Sequence, residues 1–256
     1  MFADQLHAAQ KGTDGRVCVG LDPHPEIVSG GPGRIVRFLG KVIAETKDEA
    51  CVYKPNSAFF EALGARGAVA LRRTIDRVHE AGRLAILDAK RGDIASTAAA
   101  YARAACDVLA ADAITVVAYM GEDAVAPFQE RGLAVFILTV PSNPTAIPLI
   151  DHGSPPLYGR VAELAARLGE RFPGQVGLVV GATSPERARS LRGIGGSLPW
   201  LVPGVGAQGG ELGAFLDAAG GARTLLFNVS RGILAADRPQ EAARGFKEAM
   251  GRPNER

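Results

Sequence analysis

A chain of 256 residues that is 47% hydrophobic has room for a sizeable core, and 29 basic against 27 acidic side chains leave it near neutral at +2. No Lys/Arg-rich block argues for nucleic acid, and no apolar run approaches the length of a membrane span. The first 16 residues lack the apolar centre of a secretory signal, so the expected location is cytoplasmic.

Short apolar runs alternate with helical patterns. Val17–Leu21 is the first predicted strand, ending in Asp22 and Pro23. A helix pattern through Ile35, Leu39, Val42 and Ile43 follows. Ala50–Lys54 is the second strand, and Ala68, Leu71, Ile75 and Val78 mark the next helix, closed by Gly82. The third strand starts at Leu84 and breaks into Asp88, Lys90, Arg91 and Asp93. Behind it Ile94, Ala98, Tyr101, Ala102, Ala105, Val108 and Leu109 share one helical face.

Ala113–Val117 is the fourth strand, followed by a short helix through Phe128, and Ala134–Thr139 is the fifth. Val176–Val180 is the sixth, after which Ser184 and Pro185 read as an N-cap and a first helical residue. Trp200–Val202 and Thr224–Phe227 are the seventh and eighth, and a helix from about Pro239 to Ala249 follows. Strands without polar alternation belong in a parallel sheet covered on both faces. The predicted architecture is an α/β, eight-stranded parallel β/α (TIM) barrel, one domain over 1–256, with no low-complexity linker dividing it. A doubly wound sheet is the second reading, and it lacks its GxGxxG after the first strand.

Barrels of this kind carry their sites at the C-terminal strand ends. Those ends hold Asp22, Lys54, Asp88 with Lys90, Ser142 with Asn143, the Pro203–Gly210 stretch, and Asn228 with Arg231. Side chains alternate along a strand, so Asp88 and Lys90 face one way, whereas Arg91 faces the other and reads as structural. Amines interleaved with carboxylates keep each other ionised and suit a reaction that builds negative charge on carbon and must deliver a proton there. The plain alternative is a solvated turn in which Asp93 caps a helix starting near Ile94.

Four glycines within Gly204–Gly210 allow backbone N–H groups close to an anion, and Arg231 offers a two-pronged phosphate contact. Loops after strands seven and eight are the usual phosphate site of this barrel. The proline-rich Pro141–Pro156 loop has the length of a lid, and its Ser142 and Asn143 can hydrogen-bond a polar ring; an irregular connection is the plain alternative. No His or Cys spacing suggests a metal, and no GxSxG elbow is present. Cys18, Cys51 and Cys106 are expected as buried free thiols.

The sequence Asp88-x-Lys90-x-x-Asp93-Ile94-x-x-Thr97, with Pro203–Gly210 and Ser230–Gly232, resembles the orotidine 5′-phosphate decarboxylase family over essentially the whole chain. Val19–His24 and Tyr53–Ser57 are similar to its longer bacterial subgroup. The resemblance implies decarboxylation of orotidine 5′-monophosphate in de novo pyrimidine synthesis by a homodimer of barrels, without metal or organic cofactor. It implies Lys90 as proton donor to C6 of the pyrimidine and Asp88 against the departing carboxylate. Lys54 would order the array and touch ribose, and Asp22 would hold a ribose hydroxyl. Asp93, Ile94 and Thr97 would enter the neighbouring subunit's site, making the sites shared. Ser142 would meet the pyrimidine edge, Gln208 would bridge base and phosphate, and Arg231 would grip phosphate. Asn143, Pro203, Val205, Gly206 and Gly209 complete the substrate-binding set. Ala95 and Thr145 stand where the family often has glycine.

Two other readings compete. Mg2+-dependent sugar-phosphate lyases or aldolases of the same suprafamily carry a metal-binding carboxylate at the end of the second strand, where this chain has Lys54. A non-catalytic barrel that binds a phosphorylated ligand would need no Lys90 beside Asp88.

Overall fold

Eight strands follow one another and pair in chain order: β1 (Val17–Leu21), β2 (Ala50–Pro55), β3 (Leu84–Arg91), β4 (Ala113–Val116), β5 (Ala134–Val140), β6 (Val176–Val180), β7 (Trp200–Val202) and β8 (Leu225–Val229). All pairs are parallel and β8 returns to β1, so the computed structural model is a closed barrel of the TIM type, as the strand pattern predicts. It describes residues 1–194, 196, 198–205, 212–220 and 224–251.

The helices are α1 (Phe2–Thr13), α2 (Pro32–Thr46), α3 (Ser57–Glu61), α4 (Ala65–Glu80), α5 (Ala95–Arg103), α6 (Ala126–Glu130), α7 (Ile147–Ile150), α8 (Leu157–Arg171), α9 (Pro185–Leu191), α10 (Leu212–Ala219), α11 (Arg231–Leu234) and α12 (Pro239–Met250). None of the described residues forms a helix long and apolar enough to cross a membrane. The helix expected from Ile94 to Leu109 starts at Ala95 and changes at Ala104 into a π-helical turn ending at Val108. Its N-cap residue is Ile94, not Asp93, whose Oδ1 instead accepts the Ile94 N–H at 2.8 Å. Ser184 is the N-cap residue of α9 as expected, but its side chain makes no capping bond.

Strand alternation divides the core in two. Val17, Val19 and Leu21 face the helices, while Cys18, Val52, Ile86, Phe136, Val179, Leu201 and Leu226 fill the barrel interior. Phe2 and Leu6 of α1 belong to the inner cluster, Phe2 meeting Phe136 edge-on at 6.0 Å. The Gln10 amide on the same helix donates to the Leu225 carbonyl at 2.8 Å. Helix α1 therefore plugs the N-terminal end of the barrel and leaves the C-terminal mouth for ligands.

Candidate active site

Two residues beyond the apolar inner layer, the same alternation brings polar side chains inward. Lys54 follows Val52, Asp88 follows Ile86, and Lys90 comes two residues later. Asp88 takes Lys54 Nζ on Oδ2 at 2.7 Å and Lys90 Nζ on Oδ1 at 2.6 Å. Thr115, on β4, donates to Oδ1 at 2.9 Å. Burial opposes ionisation of Asp88, yet Lys54 and Lys90 overrule it and hold the carboxyl far below the usual range. Burial equally opposes the Lys54 charge, and Asp88, then Asp22, lift it above the usual lysine range. Both partners are thus ionised in a place where water is scarce.

Stability does not explain such an array. A buried ion pair rarely outperforms an apolar pair of the same volume, because desolvation cancels most of the attraction. Lys90 adds strain, since its φ of 46° costs a side-chain-bearing residue about 1–3 kcal/mol. Its side chain is 46% exposed against 5% for Lys54, so one amine is locked beneath the acid and the other reaches into the mouth.

A cavity of about 270 Å³ opens above the array, lined also by Leu138, Ser142, Asn143 and Pro203. A second, of about 290 Å³, shares Ser142 and Pro203 with it and is lined by Asp22, Gly204, Val205 and Arg231. Its wall holds two buried oxygens, Asp22 Oδ1 and Ser230 Oγ, that find no hydrogen-bond partner among the described residues. One end of the joint site is charged and carries a proton donor; the other is polar and carries a guanidinium. A larger hollow of about 600 Å³ between the Pro141–Pro156 loop and α8 is lined mostly by apolar groups such as Leu149 and Leu157, and the ion pair on its wall, Arg160–Glu163 at 3.3 Å, joins two residues of α8 that are both more than a third exposed. The buried acid with its two amines is found in the smaller, joint site.

A family model described as orotidine 5′-phosphate decarboxylase / HUMPS matches residues 15–246. The chain belongs to this family. It is 43% identical to the curated orotidine 5′-phosphate decarboxylase of Herpetosiphon aurantiacus, over 98% of this chain and 96% of that one. Its identity to the Roseiflexus castenholzii orotidine 5′-phosphate decarboxylase is 44%, over 97% of both. The solved OMP decarboxylase of Leishmania donovani superposes with a TM-score of 0.88 at 41% identity, covering 97% of this chain and 96% of that one. The chain is an enzyme of the decarboxylase type that these relatives name.

Within that family frame, Lys54, Asp88, Lys90, Asn143 and Ser142 line the charged cavity, and Asp22, Ser142, Pro203, Val205 and Arg231 the polar one. Ile94 and Thr97 are exposed, and neither they nor Asp93 lines the site of their own chain. Gly206, Gln208 and Gly209 lie outside the described residues. Arg91 pairs with Glu61 at 2.5 Å and stacks over Tyr101 at 4.9 Å, a structural role as its strand parity requires. Among the described residues no group of three or more His, Cys, Asp or Glu is placed to hold a metal. Cys18 and Cys51 are buried, and burial pushes the Cys18 thiol up to about 12; Cys106 is only half-buried, contrary to expectation, because it sits on the outer π-helical turn.

Sequence reasoning missed Thr115, and it missed His24 and Phe59, whose rings meet at 5.9 Å on the wall of the polar cavity. A lone hydroxyl on the inward face of an apolar strand was the available signal for Thr115.

Proposed function

We propose that the chain converts orotidine 5′-monophosphate to uridine 5′-monophosphate, with Lys90 as the proton donor. The observation that carries this reading is one carboxylate, Asp88, ion-paired to two amines of unequal exposure. The C6–carboxylate bond breaks, CO2 leaves, and the electron pair stays on C6 without an enolate to absorb it. Lys90 ammonium stabilises that developing carbanion, then passes one proton to C6 and regains it from solvent. Asp88 lies where the departing carboxylate would be repelled, and Lys54 keeps Asp88 ionised. Arg231 and the backbone of the loop after β7 take the phosphate, with Gln208 bridging base and phosphate and Gly206 and Gly209 completing the substrate-binding set. Binding energy gathered there closes the Pro141–Pro156 loop, lowering the barrier instead of only tightening the ground state.

The reading includes a cytoplasmic homodimer, single-domain in each protomer, in which Asp93, Ile94 and Thr97 serve the partner's site. Support is the exposure of Ile94 and Thr97, together with exposed Tyr119 and Met120 on the loop after β4. A Mg2+-dependent lyase is disfavoured by Lys54, whose ammonium sits 2.7 Å from Asp88 where a metal-binding carboxylate is required. Purified protein in EDTA, mixed with orotidine 5′-monophosphate and followed by absorbance, tests the proposal. Steady conversion is expected; no conversion, or conversion only after Mg2+ is restored, defeats it.

A further inference from the structure

Near its end β3 steps out of its ladder with β4 and then returns. Its register with β4 runs Ile86 to Ala113 and Leu87 to Ile114, then jumps to Arg91 opposite Val116. Residues 88–90 are skipped, and Lys90 turns into the left-handed region. In a regular parallel ladder the amides of such a stretch would find neighbouring carbonyls. Here the Ala89 and Lys90 N–H groups both donate to one side-chain oxygen, Thr115 Oγ1, at 3.0 Å each.

That hydroxyl is buried at 1% exposure and is fully used. A threonine oxygen has one proton and two lone pairs. Two N–H donors occupy the lone pairs, so the proton has one direction left, and Asp88 Oδ1 stands there at 2.9 Å. Oδ1 is also the oxygen that Lys90 Nζ touches. One hydroxyl therefore holds the acid by its carboxylate and the amine by its backbone. The Cγ2 methyl alone would satisfy a core position; valine fits the same space without any of these bonds.

We propose that Thr115 is the positioning residue of the Asp88–Lys90 pair. It stabilises the left-handed turn at Lys90 and fixes the carboxylate, so that Lys90 Nζ is aimed before substrate arrives. The geometry stands by itself, and only the identity of the reacting atom rests on the decarboxylase reading. A misplacement near 1 Å at a reacting group costs on the order of 100-fold in rate, which sets the size of the effect.

The test compares Thr115→Val, Thr115→Ala and Thr115→Ser. Val and Ala should remain folded, bind uridine 5′-monophosphate within about threefold of the parent, and lose about 100-fold in kcat. Ser, which keeps the hydroxyl, should stay within about fivefold. In parallel, acetic anhydride labelling of Lys90, read by peptide mass spectrometry against exposed Lys41, should speed up in Val and Ala but not in Ser. Parent-like kcat in Val, or a Ser variant as damaged as Val, overturns the proposal. So does loss of folding in both Val and Ala, which would make Thr115 a core residue. If the parent turns over no orotidine 5′-monophosphate, the functional reading falls while the labelling arm still decides Thr115.

Discussion

Each end of the barrel holds a buried carboxylate between two cations, and the two arrangements differ in what they leave open. At the mouth, Asp88 binds Lys54 and Lys90, contributed by β2 and by its own strand. At the foot, Glu49, just before β2, binds Lys247 at 2.6 Å and Arg244 at 3.1 Å, both from α12. Burial raises the Glu49 pKa, but the hydrogen bonds from Lys247 and Arg244 more than reverse it and leave the carboxyl below its ordinary range. Chemically the triads are alike. The foot triad is anchored on relaxed helix, its Lys247 also tied to the Thr13 carbonyl at 3.2 Å, and it clamps α12 to the barrel. The mouth triad sits where β3 breaks its register with β4, uses a strained backbone at Lys90, and opens onto a cavity. Paired charge alone is a fastener; paired charge beside a void, held under strain, is available for reaction.

Mutating each triad in turn tests that contrast, beginning with the mouth. Lys90→Ala should lower turnover by about 1,000-fold or more while the protein stays folded and still binds uridine 5′-monophosphate. Mixed under subunit exchange with Asp93→Asn protomers, it should recover about a quarter of parental activity. Half of the dimers would be hybrids with one intact site of two. Turnover near normal in Lys90→Ala removes it as donor, and no recovery despite proven exchange removes the shared site.

Glu49→Gln should do the opposite, leaving kcat intact and lowering the unfolding free energy by about 1–3 kcal/mol in urea titrations. Because the folded pKa of Glu49 is depressed, its contribution is present above the unfolded value and lost as pH falls through the folded one. The gap between parent and variant should therefore close in acid. A variant as stable as the parent at neutral pH would mean that the foot triad fastens nothing.

The smallest effect belongs to a bridge outside both triads. His79 on α4 meets Asp112 at 2.9 Å, and that hydrogen bond raises the imidazole pKa above 6.5. Its contribution to stability is complete below the unfolded value and disappears as pH rises through the raised folded one. The Tm difference between parent and His79→Ala should be larger at about pH 5.5 than at about pH 8.5. An equal difference at both values would make the bridge a neutral hydrogen bond.

The barrel was legible because its signal is repetitive: eight short apolar runs alternating with helical patterns need only strand parity and spacing to be read. Parity also separated Asp88 and Lys90 from Arg91. Boundaries were less legible where tertiary hydrogen bonds set them. The Ile94–Leu109 pattern gives no hint of the π-helical turn at Ala104, and Thr224 falls just outside β8 although its carbonyl still accepts the Trp200 N–H at 2.8 Å. Ala95 was visible as a departure from a frequent glycine, and its φ of 49° supplies the reason glycine is favoured there. For Thr115 the sequence offers only an inward hydroxyl on an apolar strand; what that hydroxyl holds is set by three partners 25 to 27 residues away, which no local pattern encodes.

The seam between β8 and β1 ties barrel closure to the order in which the chain is made. Val17 pairs with Phe227, Gln10 bonds to Leu225, and Lys247 reaches Thr13, contacts that span 210, 215 and 234 residues. Until β8 has been synthesised, one edge of β1 lacks its strand partner and the plug helix has only part of its socket. Seven strands can assemble side by side as they emerge, but the ring closes last, paying its loop-closure entropy in one late step. Nascent chains of this protein therefore present an open sheet edge for most of translation, the condition under which strand-to-strand association between neighbouring chains competes with folding.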